Sequence, residues 1–339
     1  MVIRGLRQSV PRSWLRCESL RTRWVSYRCS SSRTMSSSQP VVPRPSASLV
    51  IINKRNEVLL VHRNPKASTF AGVHVFPGGN YDPKQDTSLP MTAIRETFEE
   101  SGLLVGVTGS SLPAGPVLEA ARHKIHSQKL LFQTFLDENQ LSVRTDSDVL
   151  LPFTEWITPV DAPGERFHAR FYVAFLDSGA SSSSGFSSGH KQEQIPKPDG
   201  GQEVISARFI HPDDALAEFN EGKVIFMPPQ FYILYTLASI LRGKRNLPEQ
   251  KDKVAQLSRG IFGKMVMNPR RLEGSFVPGG TEGILTYEGD ETRGGSKGRL
   301  HRALCRFMKG GLTTQIVLQR NFDIFTEIES NAFERSSKL

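Results

Sequence analysis

Three glutamates within five residues of one predicted helix constrain this chain more than any other feature of its sequence. The helix is predicted from about Leu89 to Ser101, and Gly102 is placed to end it. At about 100° per residue, Glu96, Glu99 and Glu100 share an arc of roughly 100° on one side of that helix. The fold must therefore provide for three like charges on one helical face.

The opposite side of the helix carries Ile94 and Phe98, which predicts that the helix packs on a hydrophobic core. Like charges at three- and four-residue spacing destabilise an isolated helix by roughly 0.2 to 0.5 kcal/mol per pair, and a bound cation would reverse that penalty. Hard carboxylate oxygens suit Mg²⁺ or Mn²⁺, which also accept substrate phosphates as ligands and assist attack of water on phosphorus. The alternative is a solvated acidic face, because charge runs usually indicate exposure.

The sequence upstream favours the metal interpretation. With Gly78-Gly79 before the helix, the segment resembles the Nudix box, Gly-x5-Glu-x7-Arg-Glu-apolar-x-Glu-Glu-x-Gly-apolar. The matching residues are Gly79, Arg95, Glu96, Glu99, Glu100, Gly102 and Leu103.

The segment departs from that pattern in three places. Sixteen positions separate the matched glycine from the matched arginine, where the family pattern has fourteen. The first glutamate of the box is replaced by Gln85, Asp86 or Thr87, depending on where the insertion lies. Thr97 stands where an aliphatic residue is usual. These departures affect the loop and the start of the helix, and the charged residues of the second half are all present.

The resemblance implies a role for each charged side chain of the box. Glu96, Glu99 and Glu100 would bind Mg²⁺ or Mn²⁺, and Glu96 would orient or deprotonate the attacking water. Arg95 would position these carboxylates through ion pairs. A glutamate outside the box often completes such sites, and Glu203 is our candidate. The alternative for Glu203 is an ordinary residue at the start of a strand.

Glycines and arginines complete the expected site. Gly78 and Gly79 would allow the close turn from loop to helix beside the substrate, since glycine tolerates backbone angles that other residues avoid. We expect Arg63, Arg166 and Arg170 near substrate phosphates, because a guanidinium can bind phosphate oxygens at two points. The alternative for each arginine is a surface ion pair.

Segments further from the box narrow the resemblance to the acyl-coenzyme A diphosphatase branch of the family. The similar segments are residues 63–65, 70–79, 156–159, 166–171 and 228–232. The resemblance implies an α/β fold, with a Nudix-type α/β/α sandwich around a mixed β-sheet. It also implies hydrolysis of coenzyme A or acyl-CoA to 3′,5′-ADP and (acyl-)4′-phosphopantetheine.

Two other functions stay open at this point. One is a pyrophosphohydrolase acting on ADP-ribose or NADH, because one sequence does not identify the loops that recognise the two ends of the substrate. The other is a non-catalytic Nudix-fold binding module. The three intact glutamates argue against a binding module, since a fold kept for binding alone has no need of a clustered carboxylate face.

The net charge of +9 is concentrated at the N-terminus. Residues 1–40 hold eight arginines, no lysine and one glutamate, and so carry seven of the nine net positive charges. The nearly neutral remainder argues against a nucleic-acid partner. An acid-poor start rich in Arg and Ser is typical of a mitochondrial transit peptide, and the alternative is a disordered basic tail.

The last three residues, Ser337-Lys338-Leu339, form the tripeptide that the peroxisomal import receptor reads. Met35 could serve as a second start that omits the basic segment. The sequence therefore predicts a location in the peroxisome, the mitochondrion or both, with dual targeting as the hypothesis.

Composition predicts a soluble globular chain, with 38% hydrophobic and 23% charged residues. The three cysteines, two of them within residues 1–40, exclude a disulfide framework. The longest apolar stretch, Phe231 to Leu241, is shorter than the roughly 20 residues that cross a bilayer, so no membrane span is expected. We predict a basic segment at 1–40, a Nudix hydrolase domain at 46–242 with a low-complexity insert at 177–202, and a C-terminal extension at 243–339.

The pattern of apolar residues predicts the regular elements. They are a β-hairpin at 48–52 and 58–61, strands at 156–157, 171–175 and 204–210, and helices at 118–126, 212–220 and 229–241. The extension is predicted to be small and β-rich, with strands at 283–287 and 314–318 and a final helix near Phe322 to Phe333. His123 and His126 are predicted on a helix surface, since neither has an acidic or cysteine companion at zinc-site spacing.

Overall fold

The computed structural model describes residues 41–67, 70–109, 113–162, 164–176, 203–276, 280–308 and 311–325. These residues all fall within one structural unit, Val41–Leu339. The predicted transit segment, the insert at 177–202 and the C-terminal tripeptide lie outside the described residues.

Strands account for most of the regular structure. They are β1 (Arg44–Ile52), β2 (Val58–Arg63), β3 (His74–Val75), β4 (Gly78–Asn80), β5 (Val107–Gly109), β6 (Leu141–Val143), β7 (Leu151–Ile157), β8 (Phe167–Phe175), β9 (Val204–Ile210), β10 (Val266–Met267), β11 (Arg270–Arg271), β12 (Glu282–Thr286), β13 (His301–Phe307) and β14 (Thr313–Arg320). The predicted hairpin and every predicted strand are confirmed, with ends shifted by a few residues.

Helices lie on both sides of the sheet. They are α1 (Leu89–Ser101), α2 (Gly115–His126), α3 (Phe132–Glu138), α4 (Pro212–Asn220), α5 (Pro228–Ile240) and α6 (Pro248–Arg259). The helix predicted near Phe322 is wrong at its start, because residues 322–325 form bends and turns, and its remainder lies outside the described residues. Within the described part of the chain, no helix is both long and apolar enough to span a membrane.

Strand β1 is the centre of the main sheet, whose order is β10-β7-β8-β1-β2-β3. It pairs in parallel with β8 from Arg44↔Phe167 to Ile52↔Phe175. Its other edge pairs antiparallel with β4 near the start of β1 and with β2 at the end. Strand β9 also pairs with β2. The sheet is therefore mixed, which confirms the predicted α/β class.

Alternate side chains of β1 enter two different cores. Leu49 and Ile51 pack with helices α1, α2 and α3, whereas Val50 and Ile52 pack with α4, α5 and α6. This alternation is what a strand buried on both faces requires, because successive side chains point to opposite sides. Helices thus cover both faces of the sheet, and the predicted α/β/α sandwich is confirmed.

The C-terminal extension forms a second, four-stranded antiparallel sheet in the order β11-β12-β13-β14. A β-rich extension is therefore confirmed. Its Tyr287 packs against Trp156 of β7, with ring centroids 5.4 Å apart, and both rings belong to the same hydrophobic cluster as Tyr232 of α5. Strand β10 also joins the main sheet beside β7. The extension and the predicted domain at 46–242 thus share one core.

A substitution at Leu257 of α6 tests whether the two sheets with their shared core unfold in one transition. This residue is 3% exposed, and Leu257→Ala should lower the free energy of unfolding by about 2 to 5 kcal/mol by leaving a cavity. The matched control is Leu247→Ala, at a residue 44% exposed, which should stay within about 0.5 kcal/mol of wild type. Chemical denaturation followed by circular dichroism measures both. Separate transitions for the two sheets would contradict a shared core.

Candidate active site

Helix α1 is fixed at both ends by local contacts. At its start, Ser88 Oγ accepts a hydrogen bond from the Met91 N–H at 3.4 Å, and Pro90 occupies the first turn, where no N–H is needed. At its end, Gly102 adopts a left-handed φ of 72° and donates its N–H to Phe98 O at 2.8 Å. The helix keeps the bounds that the sequence predicts.

The apolar face of α1 packs as expected. The ring of Phe98 stacks on Phe135 with centroids 5.6 Å apart and contacts Phe132 at 6.1 Å. Thr97, which replaces the usual aliphatic residue, is fully buried, and its Oγ1 donates to Ala93 O at 2.7 Å. Its hydroxyl is therefore satisfied inside the helix, and the substitution leaves the packing intact.

The carboxylates of α1 are buried. Glu100 is 2% exposed, Glu99 is 7% exposed, and the side chain of Glu96 is 15% exposed. A solvated acidic face is therefore excluded. Buried carboxylates are stable only when they are paired, hydrogen-bonded or protonated.

Arg95 supplies most of that pairing from the centre of the cluster. Its guanidinium binds Asp86 at two points, 2.7 and 2.8 Å, and contacts Glu99 Oε1 at 2.8 Å and Glu96 Oε1 at 2.9 Å. It also donates to Asn80 O at 3.2 Å. Burial lowers the pKa of Arg95, but the hydrogen bonds to Asp86 and the surrounding carboxylates outweigh burial and hold the pKa above its usual range. The predicted positioning arginine thus contacts two of the three box glutamates.

Among Gln85, Asp86 and Thr87, the three candidates for the position of the first box glutamate, Asp86 is the one that contacts Arg95. Its carboxylate holds Arg95 and accepts a hydrogen bond from Thr92 Oγ1 at 3.0 Å. Gln85, one of the two alternatives, accepts instead from the Phe132 N–H at 2.9 Å and ties the loop to α3. Asp86 thus belongs to the charged cluster around Arg95, whereas Gln85 does not.

Gly78 and Gly79 bring the loop directly under the carboxylates. The Gly78 N–H donates to Glu100 Oε2 at 3.0 Å, and a Cβ on Gly78 would collide with Ala47 O of β1. A Cβ on Gly79 would lie 2.5 Å from Glu96 Oε1. Glycine is required at position 78, where backbone atoms of β1 leave no room for a Cβ, whereas a side chain at position 79 would displace the Glu96 carboxylate.

Glu100 keeps one unsatisfied oxygen. Its Oε1 is buried and has no hydrogen-bond partner in the described part of the protein; Arg63 Nη1 lies 3.8 Å away, too far for a hydrogen bond. Burial raises the pKa of Glu100 well above its usual range, and the charge of Glu96 adds to that rise, while Arg63 opposes it. An acceptor in this position favours a proton or a cation.

The pKa of Glu96 is raised as well. Burial raises its pKa to about 7; Arg95 opposes the rise, and the charges of Glu99 and Glu203 add to it. Glu203 also raises the pKa of Glu100. The structure thus brings Glu203, our candidate from outside the box, close to two of the predicted metal ligands.

The donor set fits a hard divalent cation. Glu96 and Glu100 both offer carboxylate oxygens beside the glycine loop, and Glu100 Oε1 has no hydrogen-bond partner among the described residues. Across the described residues, however, no three His, Cys, Asp or Glu side chains already converge as a metal site. Glu99 Oε1 instead accepts a hydrogen bond from Arg95 Nη1 at 2.8 Å, and Glu99 Oε2 lies 3.4 Å from His126 Nδ1.

His126 and Arg122 of α2 were not predicted at this site. Arg122 Nε donates to Glu99 O at 2.7 Å, and the side chain of His126, only 15% exposed, faces the Glu99 carboxylate. The surface position predicted for His126 is therefore wrong, whereas His123 is exposed as predicted. The four-residue spacing of Arg122 and His126 beside buried Leu118 was the available signal, because it places them on the packed face of α2.

The three predicted phosphate-binding arginines have different surroundings. Arg63 lies next to Glu100, at the edge of the carboxylate cluster. Arg166 is buried and donates to Thr158 O at 3.0 Å and Val41 O at 2.6 Å, so it holds backbone together. Arg166 therefore binds backbone carbonyl oxygens. It forms no surface ion pair among the described residues, and its guanidinium is not open to solvent.

Arg170 lies across the sheet from the glycine loop. Ala47 of β1 pairs with Gly79 of β4 on one side and with Arg170 of β8 on the other. Residues in such a row share one face of the sheet, and strands are about 4.8 Å apart, so Arg170 stands about 10 Å from Gly79 on the α1 side. Its guanidinium lies 3.4 Å from Glu155 and its side chain is one-third exposed. Arg63 therefore lies beside the carboxylates, whereas Arg170 is on their side of the sheet and is paired with Glu155.

Comparison with known proteins agrees with this geometry. Residues 83–237 match the family model of the NUDT19 Nudix domain. This segment, a little under half of the chain, is similar to a Nudix domain. The chain is 28% identical over 203 residues to "Putative nudix hydrolase 7" of Caenorhabditis elegans. The aligned region covers 58% of this chain and 61% of that protein.

Two further Nudix relatives are named acyl-coenzyme A diphosphatase NUDT19. The Gallus gallus protein is 26% identical over 45% of this chain and 41% of its own length, and the Xenopus laevis protein is 23% identical over 53% and 59%. The match thus spans about two fifths to three fifths of these curated relatives. Among solved structures, a NUDIX hydrolase from Alicyclobacillus acidocaldarius has a TM-score of 0.47 and 23% identity, covering 60% of this chain and 94% of that one.

The raised pKa values predict an unusual pH dependence of stability in metal-free solution. Glu96 titrates near 7 in the folded chain and near 4.5 when unfolded, so the folded state binds its proton more tightly. The free energy of unfolding should therefore fall as pH rises from about 5 to 7. Glu96→Gln should flatten this fall, and Mg²⁺ or Mn²⁺ should raise the melting temperature of wild type at pH 7.

Melting curves in EDTA and in Mg²⁺ across that pH range provide the measurement. Glu138→Gln, at an exposed position of α3, removes a carboxylate outside the cluster and should leave the wild-type profile unchanged. An equally steep fall in Glu96→Gln would rule out Glu96 as the source.

Proposed function

We propose that this protein is a metal-dependent hydrolase of a diphosphate-linked nucleotide, and that coenzyme A or acyl-CoA is its substrate. The observation that carries the proposal is the pair of partly buried Glu96 and buried Glu100 beside Gly78 and Gly79, with one Glu100 oxygen that has no hydrogen-bond partner among the described residues. In a protein that binds no cation here, apolar residues in place of this pair would increase the stability of the fold.

Mg²⁺ or Mn²⁺ is the proposed cofactor, because the available donors are hard oxygens. Glu96 and Glu100 would hold the ion, with Glu99 as the third predicted ligand and Glu203 nearby. When bound, such an ion stabilises charge on phosphate oxygens and lowers the pKa of bound water.

Glu96 has the properties of a general base for the attacking water. Its carboxylate lies beside the proposed ion, and the Arg95 contact at 2.9 Å holds it in place. Water adds to one phosphorus, the bridging P–O bond breaks, and each product leaves as a phosphate monoester. For coenzyme A these products are 3′,5′-ADP and 4′-phosphopantetheine.

Arg63 and Arg170 are the proposed phosphate contacts. Arg63 stands beside Glu100, and Arg170 shares the α1 face of the sheet with Gly79. A diphosphate lying over the carboxylates would have one guanidinium toward each end, which suits the two-point binding of phosphate by arginine.

The choice of coenzyme A rests on the relatives. The matched family model is that of the NUDT19 Nudix domain, and two curated relatives are named acyl-coenzyme A diphosphatase NUDT19. Their identities to this chain, 23% to 26%, leave the substrate as a proposal that needs a direct comparison of nucleotides.

Loss of the proposed base should abolish turnover without unfolding the chain. Glu96→Gln should lower kcat for coenzyme A by about 10² to 10⁴-fold, the usual contribution of general-base catalysis. Glu138→Gln is the matched control and should turn over like wild type. Product formation followed by chromatography, with circular dichroism as a check of folding, measures the effect. Unaltered turnover in Glu96→Gln would remove Glu96 from the mechanism.

The same assay tests the substrate. Coenzyme A, acetyl-CoA, ADP-ribose and NADH should be compared at equal Mg²⁺ or Mn²⁺, and kcat/KM should be highest for a coenzyme A compound. A higher kcat/KM for ADP-ribose or NADH would change the proposed substrate but would still support the proposed hydrolase activity. Absence of hydrolysis with all four and both metals would overturn the proposed function.

The proposed location is the peroxisome, the mitochondrion or both, since both hold coenzyme A esters. Fluorescent fusions should keep Ser337-Lys338-Leu339 free at the C-terminus. The full-length fusion should reach mitochondria, and the fusion that starts at Met35 should reach peroxisomes. Dual targeting is refuted if both fusions go to one place.

A further inference from the structure

The C-terminal extension reaches the edge of the active site through the start of strand β14. Thr313, the first residue of β14, is fully buried, and its Oγ1 donates a hydrogen bond to Phe226 O. Leu312, the residue before it, packs against a small apolar cluster. The buried members of this cluster are Val61, Val73, Val75 and Val204. The extension thus contacts both the segment that leads into α5 and the strands β2, β3 and β9.

Segment 225–227 connects the extension to strand β3. Phe226 O accepts the hydrogen bond from Thr313, and the neighbouring Ile225 O accepts one from the His74 N–H at 2.8 Å. The rings of Phe226 and His74 also meet edge to face, with centroids 6.5 Å apart. Because β3 is only two residues long, it forms few ladder bonds of its own, and the contact with segment 225–227 helps to fix its position.

Strand β3 in turn holds the end of β2 that carries Arg63. The rings of His74 and His62 stack with centroids 4.1 Å apart and planes 12° from parallel. The Arg63 N–H donates to Val73 O at 3.0 Å, and Arg63 Nη1 lies 3.8 Å from Glu100 Oε1. A continuous series of contacts therefore leads from the extension to an arginine beside the carboxylate cluster.

The apolar cluster that Leu312 packs against provides a second connection to Arg63. Val61 and Arg63 are two residues apart in β2, so their side chains lie on the same side of that strand. Val204 of β9 is paired with Arg63, and Ala207 of β9 packs against both this cluster and the one formed with helix α1. The cluster therefore lies on the face of the sheet that carries the active site.

We infer that the C-terminal extension positions Arg63, and that Thr313 is the positioning residue through which it does so. The effect on substrate rests on the proposed function, in which Arg63 is a phosphate contact. Two-point binding of phosphate by a guanidinium depends on its orientation, so a small shift of β2 and β3 weakens binding. The extension thus has a role at the active site in addition to its share of the core.

Steady-state kinetics of the full-length chain test this inference, with the nucleotide of highest kcat/KM. Thr313→Val removes the hydroxyl and keeps the shape of the side chain. It should raise KM about three- to tenfold, the range expected for one lost hydrogen bond, and keep kcat within about twofold of wild type. This split is expected because a phosphate contact binds substrate and transition state alike. Thr313→Ser, which keeps the hydroxyl, should restore the wild-type KM.

A double-mutant cycle shows whether Thr313 acts through Arg63. Arg63→Gln should itself raise KM, and adding Thr313→Val to it should change KM by less than about twofold. Effects that multiply would mean that Thr313 acts independently of Arg63, and they would overturn the inference. A wild-type KM in Thr313→Val would overturn it as well.

Thr286 of β12 provides a matched control within the same sheet. It is buried like Thr313, and its Oγ1 donates to Arg270 O of β11 at 3.1 Å. Thr286→Val therefore loses an equivalent hydrogen bond inside the extension and should keep the wild-type KM and kcat. If it raised KM as much as Thr313→Val does, the effect would be a general loosening of the extension and the inference would fail.

Hydrogen exchange separates this inference from the proposed function, because it needs no substrate. In Thr313→Val, amides of segments 60–64 and 73–75 should exchange at least about threefold faster than in wild type, and in Thr286→Val they should not. Mass spectrometry of peptides that cover these segments measures the rates. Unchanged exchange in Thr313→Val would overturn the inference whatever the activity. Faster exchange in a chain that hydrolyses none of the nucleotides would overturn the proposed function alone.

Circular dichroism and melting curves check that Thr313→Val is folded. If it is not, Leu312→Ala replaces it, since Leu312 is only partly buried. That variant must then raise KM and lose its effect in the Arg63→Gln background for the inference to stand.

Discussion

The active site depends on a single buried cation, the guanidinium of Arg95. Asp86, Glu96 and Glu99 all contact it, and without it three carboxylates would lie beside a hydrophobic core with no compensating charge. The rest of the site follows from this arrangement. Glu96 can stay close to the glycine loop because Arg95 holds it there, and Asp86 fixes the guanidinium from the opposite side.

Much of this could be predicted from the sequence, because it is encoded locally. Helix α1 carries its own caps, and the spacing of Glu96, Glu99 and Glu100 fixes their directions on the helix. The alternating apolar residues of β1 encode the two-sided burial of the sheet. Spacing alone could not identify Asp86, since a loop two residues longer than the family pattern leaves three candidates in register.

What the sequence could not show arises from contacts between distant segments. His126 reaches Glu99 only because α2 packs against α1, and Arg166 binds the carbonyl of Val41, 125 positions away. Asn56, in the turn between β1 and β2, likewise donates from its Nδ2 to the carbonyl oxygens of Arg242 and Arg245, far along the chain. None of these contacts belongs to a sequence motif, so only the tertiary structure reveals them.

The separate positions of β8 and β9 in the main sheet have a consequence for handling the protein. Strand β8 ends at Phe175 and β9 begins at Val204, and each is fastened to a neighbour in the main sheet. The segments before and after this connection also contribute side chains to one hydrophobic cluster, which includes Phe171 and Phe231. A chain cleaved between the two strands should therefore stay associated as a nicked complex, which makes this connection a suitable place to insert an affinity tag or divide a split reporter.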